Sequence, residues 1–204
     1  MCALSGRAAE AEDNRGPVIV ISGAPGSGKS TYAKRLAKDL GLSYFTSGMI
    51  FRETAKSLGI SLEELGSRAE KDPSIDLMID MKVLETARRG GVVIDSHLAA
   101  WVLSGIADVS ILVKAHPVVR IMRISEREGR GLEQVALETL EREESQLVRF
   151  YEYYGYDLLD ASHFDLVIDT SVLGPDEVYA IIKTFTVSKL RRLGLIPGGG
   201  PANL

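Results

Sequence analysis

Short apolar runs alternate along this chain with longer stretches in which apolar residues recur every three or four positions. The short runs are typical of buried strands, and the longer stretches are typical of amphipathic helices. The predicted strands are Val18–Ser22, Ser43–Thr46, Val92–Asp95, Val109–Val113 and Leu166–Asp169. The predicted helices are Lys29–Leu40, Gly48–Leu58, Leu62–Ala69, Ile75–Arg88, Pro117–Glu128, Leu132–Tyr154 and Pro175–Thr184. This alternation indicates an α/β fold with a parallel sheet.

The two ends of the chain differ from the body between them. Residues 1–16 are small, polar and acidic without periodicity, so we expect a flexible lead there. Residues 186–204 end in a segment rich in Gly and Pro and are expected to form a loose tail. Residues 17–185 then form one domain. Several helices separate its second and third strands, so positions 47–89 are expected to be an insertion that holds something at the carboxyl edge of the sheet.

The composition excludes several classes of protein. A chain of 204 residues with 45% hydrophobic and 25% charged residues is typical of a globular domain, and one cysteine cannot build a disulfide scaffold. No apolar run approaches the roughly 18 residues of a membrane span, and the acidic N-terminus lacks the apolar core of a signal peptide. The net charge of -4 argues against nucleic-acid binding, which needs a basic face. We therefore expect a cytoplasmic protein without a membrane or nucleic-acid partner.

One motif is specific for phosphate binding. The segment that follows the first predicted strand fits G-x-x-x-x-G-K-[ST], and a predicted helix follows it in turn. Glycines let successive backbone N–H groups turn around phosphate oxygens, and a helix N-terminus adds a favourable dipole. Lys29 is expected to reach the β and γ phosphates of a nucleotide. The predicted phosphate-binding loop, called the P-loop below, consists of Gly23, Ala24, Pro25, Gly26, Ser27, Gly28, Lys29, Ser30 and Thr31.

Two residues are candidate ligands for Mg²⁺. The Ser30 hydroxyl lies in the position of the P-loop that holds this metal in nucleotide-binding proteins. Asp95 ends an apolar run, where its carboxylate can hold the same ion through water. The alternative is that Asp95 caps the turn that follows the strand.

A group of arginines follows the fourth predicted strand. Arg120, Arg123 and Arg127 have the spacing i, i+3 and i+7 and project from one helix face. Arg130 lies between two glycines, and Arg142 lies on the next helix. Phosphoryl transfer needs cations around the moving group, so positions 120–142 are expected to form a lid that closes over it. The alternative is a solvated face whose charge is balanced by nearby glutamates.

Short segments outside the P-loop resemble, in order and spacing, the archaeal-type cytidylate kinases of the nucleoside monophosphate kinase group. The resemblance extends from about Val18 to Lys183. The matching segments are Thr46–Glu53, Ser61–Leu65, Asp72–Asp76, Leu98–Trp101, Arg127–Gly129, Glu141–Glu143, Tyr154–Asp157 and Phe164–Thr170.

The resemblance implies an α/β, P-loop NTPase three-layer fold with a five-stranded parallel sheet, a helical insertion that binds the nucleoside monophosphate (NMP) and a short lid. It also implies a monomer that transfers the γ-phosphate of ATP to CMP or dCMP with Mg²⁺, so the expected partners are ATP and an NMP. By position, Ser47 would line the acceptor pocket and Arg52 would face the acceptor phosphate. The implied catalytic cations are Lys29, Arg120, Arg123 and Arg142.

The chain departs from the family pattern on the acceptor side. Met49 stands where the family usually has Asp, and Met81 and Val83 stand where it has arginine or glutamine. His97 follows the third strand in place of an arginine, and Glu144 replaces a further arginine.

These departures leave three interpretations open. In the first, Lys82 and His97, or Arg88 and Arg89, supply replacement charge, and the acceptor is a pyrimidine nucleoside monophosphate. In the second, the acceptor is another small molecule. In the third, the chain is a nucleotide-binding module with weak catalysis.

Overall fold

A five-stranded parallel sheet lies at the centre of the computed structural model, which describes residues 15–197. Its strands are β1 (Val18–Ser22), β2 (Ser43–Thr46), β3 (Val92–Asp95), β4 (Val109–Lys114) and β5 (Leu166–Asp169), in the order β2-β3-β1-β4-β5. The helices are α1 (Lys29–Leu40), α2 (Ser47–Leu58), α3 (Leu62–Ala69), α4 (Pro73–Arg89), α5 (Ala99–Val102), α6 (Pro117–Glu128), α7 (Leu132–Tyr154) and α8 (Pro175–Arg192). A single 3₁₀ turn spans Ala161–His163. The predicted α/β fold with a parallel sheet is confirmed.

Alternating side chains divide the core into two layers. In β1, Ile19 and Ile21 pack with α1 and α8 on one face of the sheet. Val18 and Val20 pack with α4, α5 and Phe150 of α7 on the other face. All four β1 side chains are completely buried, as expected for a central strand of a parallel sheet covered by helices on both sides.

The register of the strands brings three segments together at one edge of the sheet. Asp95, the last residue of β3, pairs with Ile21 of β1 and with Thr46 of β2. The P-loop leaves β1 directly after Ser22, and Ser22 pairs with Leu112 of β4. The P-loop, Asp95 and the start of α2 therefore lie at the same carboxyl edge, which is where open α/β sheets bind ligands.

Helices α2–α4 form the insertion between β2 and β3 that the sequence predicts. Side chains cap two of these helices, since Ser61 accepts a hydrogen bond from the Glu64 backbone N–H and Asp72 accepts one from Ser74. The insertion packs on α7, where the buried guanidinium of Arg149 lies 2.8 Å from the Asp76 carboxylate.

The last helix is longer than the sequence predicts. It continues from Thr184 to Arg192 and crosses position 186, where the sequence analysis placed the start of a tail. Leu190 is completely buried against the sheet, so this segment belongs to the packed body. The predicted helix was too short because its buried positions are polar as well as apolar, including Thr186. Positions 198–204 of the predicted tail lie outside the described residues.

The first described residues, which begin at Arg15, are attached to the sheet. Arg15 donates to the Ile106 carbonyl at 2.9 Å and pairs with Asp108 at 3.2 Å, and Asp108 also accepts from the Val18 N–H. Residues 1–14 of the predicted lead lie outside the described residues. Within residues 15–197, each helix is too short or too polar to cross a bilayer.

Replacement of Leu190 by Ala tests whether the C-terminal part of α8 belongs to the core. We expect the free energy of unfolding to fall by about 2–4 kcal/mol, because the substitution leaves a cavity against the sheet. The matched control is Leu193→Ala, since Leu193 is 50% exposed, and its cost is expected to stay below about 0.5 kcal/mol. Urea unfolding measures both, and equal losses would contradict the buried position of Leu190.

Candidate active site

The P-loop needs glycine at two positions where other backbone lies very close. Gly23 has φ +152°, and a Cβ built on it would lie 2.1 Å from the Val113 carbonyl oxygen. Gly26 has φ +78°, and its Cβ would lie 2.5 Å from the Arg120 carbonyl oxygen. Both positions combine a left-handed backbone with an approach that no side chain permits. The loop is therefore fixed between the end of β4 and the first turn of α6.

Arg120 is buried, 6% exposed, beneath the P-loop. Its Nη1 donates to the Pro25 carbonyl at 3.1 Å, and its Nε donates to the Ala115 carbonyl at 3.1 Å. The remaining donors form a fork with the two carboxylate oxygens of Glu143 on α7. The sequence analysis expected the Arg120 guanidinium to act on a closing lid. In the structure it donates its hydrogen bonds to protein atoms instead.

Arg123 and Thr170 hold the next part of the loop. Arg123 donates from Nη1 to the Thr170 hydroxyl at 2.9 Å, from Nη2 to the Thr170 carbonyl at 2.6 Å and, at 3.5 Å, to the Gly26 carbonyl. The Thr170 hydroxyl in turn donates to the Ser27 carbonyl at 3.0 Å. Arg123, like Arg120, contacts the loop through its carbonyl oxygens in this structure.

Lys29 begins α1 and lies in a strongly positive environment. Burial lowers the pKa of its ammonium group, and nearby Arg142, Arg127 and Arg120 lower it further, whereas Asp95 acts in the opposite direction. Lys29 forms no ion pair with any residue between positions 15 and 197. This concentration of cations around one unpaired ammonium group favours a highly charged anion.

Asp95 has one carboxylate oxygen without a partner. The side chain is 2% exposed, Tyr44 donates to Oδ2 at 2.8 Å, and Oδ1 is buried and accepts no hydrogen bond. Burial and the neighbouring Asp95 raise the pKa of Tyr44, so its hydroxyl remains a donor at neutral pH. Tyr44 also contacts the Ser30 hydroxyl, which connects the two predicted metal ligands.

Mg²⁺ fits this pair of oxygen donors. It usually takes one or two protein oxygens and completes its shell with water and phosphate, and a buried oxygen without a partner is rare unless a ligand uses it. No cluster of three or more His, Cys, Asp or Glu side chains with metal-binding geometry occurs in residues 15–197. Ser30 and Asp95 would supply two of the oxygen ligands of this ion, and water and phosphate oxygens would supply the others.

His97 lies beside Lys29 and is uncharged at neutral pH. Burial and the positive charge of Lys29 lower the pKa of its imidazole to about 4. Its Nδ1 lies 3.0 Å from Oε1 of Gln146 on α7. The neutral ring can still hydrogen-bond a phosphate, but it adds no positive charge. In the ligand-free protein at neutral pH, His97 therefore offers a hydrogen-bonding group and no charge.

The residues predicted to bind the acceptor do not all lie on the same side of α2. Ser47 begins α2, and Arg52 folds back so that its Nη1 lies 3.3 Å from the Cβ position of Gly48, next to the sheet edge. Lys82 instead lines a cleft of about 540 Å³ between α2 and α4, together with Ile50. Arg52 lies two residues from Ile50, about 200° around the helix. Lys82 and Arg52 are thus on different sides of α2.

The divergent acceptor-side positions also lie in separate places. Val83 is completely buried in the core beneath β1 and β3. Met49 and Met81 are 41% and 55% exposed. Val83 therefore cannot line a pocket together with the two exposed methionines.

Four residues of the site escaped the sequence analysis as candidates. Thr170 follows β5, and the carboxyl end of a parallel strand is a signal that could have drawn attention to it. Arg127 was assigned to the lid but was not named among the catalytic cations. The contacts of Tyr44, Glu143 and Gln146 depend on the packing of distant elements, which no local pattern indicates.

The fold and the P-loop motif define the class of this protein as an α/β P-loop protein. Shikimate kinase from Bacteroides thetaiotaomicron has a similar fold, with a TM-score of 0.55 and 14% identity, and the likeness covers 86% of this chain and 98% of that chain. The family model of the cytidylate kinase-like family matches residues 18–172. The chain belongs to this family.

Curated relatives agree with the family. The cytidylate kinase of Aeropyrum pernix is 53% identical over 176 residues, which are 86% of this chain and 100% of the relative. The cytidylate kinase of Staphylothermus marinus is 51% identical over 82% of this chain and 95% of its own length. The chain is therefore a phosphotransferase, and the predicted resemblance is confirmed.

Replacement of Gly26 by Ala tests the close packing of the P-loop. The new Cβ would strike the Arg120 carbonyl, so we expect ADP binding, measured by calorimetry, to weaken at least about tenfold. The matched control is Gly41→Ala, because Gly41 has a similar φ of +65° but nothing within 4 Å of its Cβ position. The control is expected to lose about 1 kcal/mol of stability without any loss of ADP affinity. Equal ADP affinities in the two variants would contradict the packing argument.

The low pKa of His97 predicts a pH-dependent contribution to stability. In the unfolded chain the ring binds a proton near pH 6.5, whereas in the folded protein it does so only near pH 4. Between these values the unfolded state binds more protons, so His97 lowers the free energy of unfolding as the pH falls. The His97→Gln variant is expected to lose less stability than the parent over this range in urea unfolding. Parallel pH profiles of the two proteins would refute the shift.

Proposed function

We propose that the protein transfers the γ-phosphoryl group of ATP to the phosphate of CMP or dCMP. The observation that carries the proposal is the group of cations around Lys29, at the P-loop of a chain that belongs to the cytidylate kinase-like family. The curated relatives of this chain are named cytidylate kinases, and the similarity covers most of its length. In this proposal positions 47–89 form the acceptor insertion and positions 120–142 form the lid.

The donor triphosphate binds along the P-loop in this proposal. Backbone N–H groups of the loop and the N-terminus of α1 bind its oxygens, and Lys29 contacts the β and γ phosphates. Ser30 and Asp95 hold Mg²⁺ together with the same phosphates. When bound, the metal neutralises negative charge on the triphosphate.

The chemistry needs no nucleophile from the protein. An oxygen of the acceptor phosphate attacks the γ-phosphorus in line, and the oxygen that joins the β and γ phosphates leaves with ADP. A phosphate with a second pKa near 6 is largely dianionic at neutral pH, so a strong base is unnecessary. Arg127 and Arg142, the cations next to Lys29, are the side chains that we assign to the transferring group.

The acceptor lies between α2 and the P-loop in this proposal. Ser47 and Arg52 lie at the sheet edge nearest Asp95, and they are the groups that we assign to the acceptor phosphate. His97, as a neutral hydrogen-bonding group beside Lys29, faces the same region. Lys82 has no part in this arrangement because it lies on the other side of α2.

The two other interpretations of the sequence lack a supporting observation. Met49, Met81 and Val83 motivated a different acceptor, but the buried Val83 cannot line a pocket with the two exposed methionines. A binding module without catalysis is disfavoured because the curated relatives of this chain are named cytidylate kinases. We further propose that the protein acts as a monomer in the cytoplasm, since its single cysteine is typical of a reducing compartment.

Steady-state assays of ADP release with CMP, dCMP, UMP and AMP test this function. We expect CMP or dCMP to be the best acceptor by kcat/KM. The Arg52→Ala variant is expected to raise the KM for that acceptor about tenfold or more, because a charge-assisted hydrogen bond to phosphate is lost, and to leave the KM for ATP unchanged.

Lys56→Ala, an exposed substitution on the same helix as Arg52, is the matched control and should keep the parental KM values. Lys82→Ala is also expected to keep them. No turnover of any of the four monophosphates would remove the proposed function, and a larger effect of Lys82 than of Arg52 would overturn the assignment of the acceptor site.

A further inference from the structure

Hydrogen bonds to its carbonyl oxygens orient the backbone of the P-loop. These bonds lie on the side of the loop opposite to the predicted ligand. The carbonyls of Pro25 and Ser27 accept hydrogen bonds at 3.1 and 3.0 Å from side chains outside the loop. In a planar trans peptide the C=O and the N–H point in opposite directions, so these bonds turn the N–H groups of Gly26 and Gly28 to the other side. Neither of these N–H groups donates to another backbone carbonyl within residues 15–197. They are thus free to bind an anion.

Arg120, one of the side chains that donate to the loop carbonyls, is fixed by several hydrogen bonds. It contacts Pro25 and Ala115 through two carbonyls and contacts both oxygens of the Glu143 carboxylate. Movement of its guanidinium toward a phosphate would break this set of bonds and leave the Glu143 carboxylate, whose side chain is 16% exposed, without its partner.

We propose that Arg120, oriented by Glu143, is a positioning residue that sets the phosphate-binding geometry of the P-loop and does not itself contact the transferring phosphoryl group. This proposal rests on the proposed donor site and reassigns a residue that the sequence analysis grouped with the transfer cations. Because Glu143 lies on α7 next to Arg142, the same pair also fixes the distance between the loop and the helix that carries a proposed transfer cation.

The two roles of Arg120 predict different kinetics. A cation that acts on the transition state changes kcat and leaves nucleotide binding nearly unchanged. A residue that orients the P-loop changes the affinity for ADP and the KM for ATP, because the bound phosphates use the loop in the ground state as well. Loss of Glu143 distinguishes the two roles further. If Arg120 is a transfer cation, loss of Glu143 frees its guanidinium to reach the phosphoryl group. If Arg120 is a positioning residue, the same loss disturbs the geometry of the P-loop.

The experiment compares Glu143→Gln and Arg120→Lys with the parent. The first variant keeps the shape of the side chain but removes its charge, and the second keeps the charge but loses the planar fork. We expect each to weaken ADP binding in calorimetry, and to raise the KM for ATP, by about tenfold to a hundredfold. The expected change in kcat is smaller, below about threefold, since the transfer cations remain. The KM for the acceptor is expected to stay constant.

Glu141→Gln is the matched control, because Glu141 is an exposed glutamate on the same helix and forms no ion pair within residues 15–197. It should bind ADP as the parent does. A fall in kcat without any change in ADP affinity would overturn the proposal in favour of a transfer cation. Unchanged ADP affinity and kcat would overturn it as well. Because ADP binding is measured without acceptor, failure of the proposed CMP activity leaves this test intact.

Thr170 supplies a second test in case the charged variants do not fold. Thr170→Val removes the hydroxyl that donates to the Ser27 carbonyl and changes no charge. We expect weaker ADP binding in Thr170→Val and restored binding in Thr170→Ser, with thermal unfolding monitored for both. Parental ADP affinity in a folded Thr170→Val protein would overturn the proposal that outer bonds to the loop carbonyls set its geometry.

Discussion

A backbone that binds phosphate through its N–H groups must satisfy its carbonyl oxygens on the opposite side. Buried peptide groups without partners are costly, so the orientation of each peptide in the loop depends on what lies behind it. Here the carbonyls of Pro25 and Ser27 are bound by Arg120 and Thr170. The phosphate site is therefore a property of β4, β5 and α6 as much as of the motif. This explains why Gly26 can come so close to the first turn of α6.

The same edge of the sheet concentrates positive charge before any ligand binds. Lys29 lies near three arginines, and Asp95 opposes their effect on its pKa. Two of these arginines have carboxylate partners of their own, since Arg120 pairs with Glu143 and Arg127 with Glu128. Burial is the main cause of the lowered pKa of Lys29, and repulsion from the arginines adds to it. A bound polyphosphate would relieve that repulsion. Burial is also the main cause of the low pKa of His97, and the charge of Lys29 adds to it because a proton on the ring would increase the repulsion. A neutral imidazole is the form of histidine that this site tolerates.

Local patterns in the sequence predicted the strands and the P-loop correctly, because apolar runs and a glycine motif depend on nearby residues. The end of α8 was missed, since Leu190 is held by the sheet and its helical neighbours include buried Thr186. The arginines illustrate a different limit. Spacing correctly predicted that Arg120 and Arg123 share one helix, but their partners lie on α7 and after β5. The direction in which an arginine points is decided by such distant contacts, and helical spacing alone cannot supply them.

Helix α7 connects the two halves of the site. Toward the insertion, it contributes Arg149, which pairs with Asp76, and Tyr153, which donates to the Glu70 carbonyl at 2.7 Å. Toward the donor site, one or two turns earlier, it carries Glu143 and Gln146, which hold Arg120 and His97. A helix behaves as a stiff rod over this length, so the position of the insertion and that of the P-loop are set against one element. In the proposed function, the orientation of the acceptor would then depend on this frame as well as on the charge that Arg52 supplies.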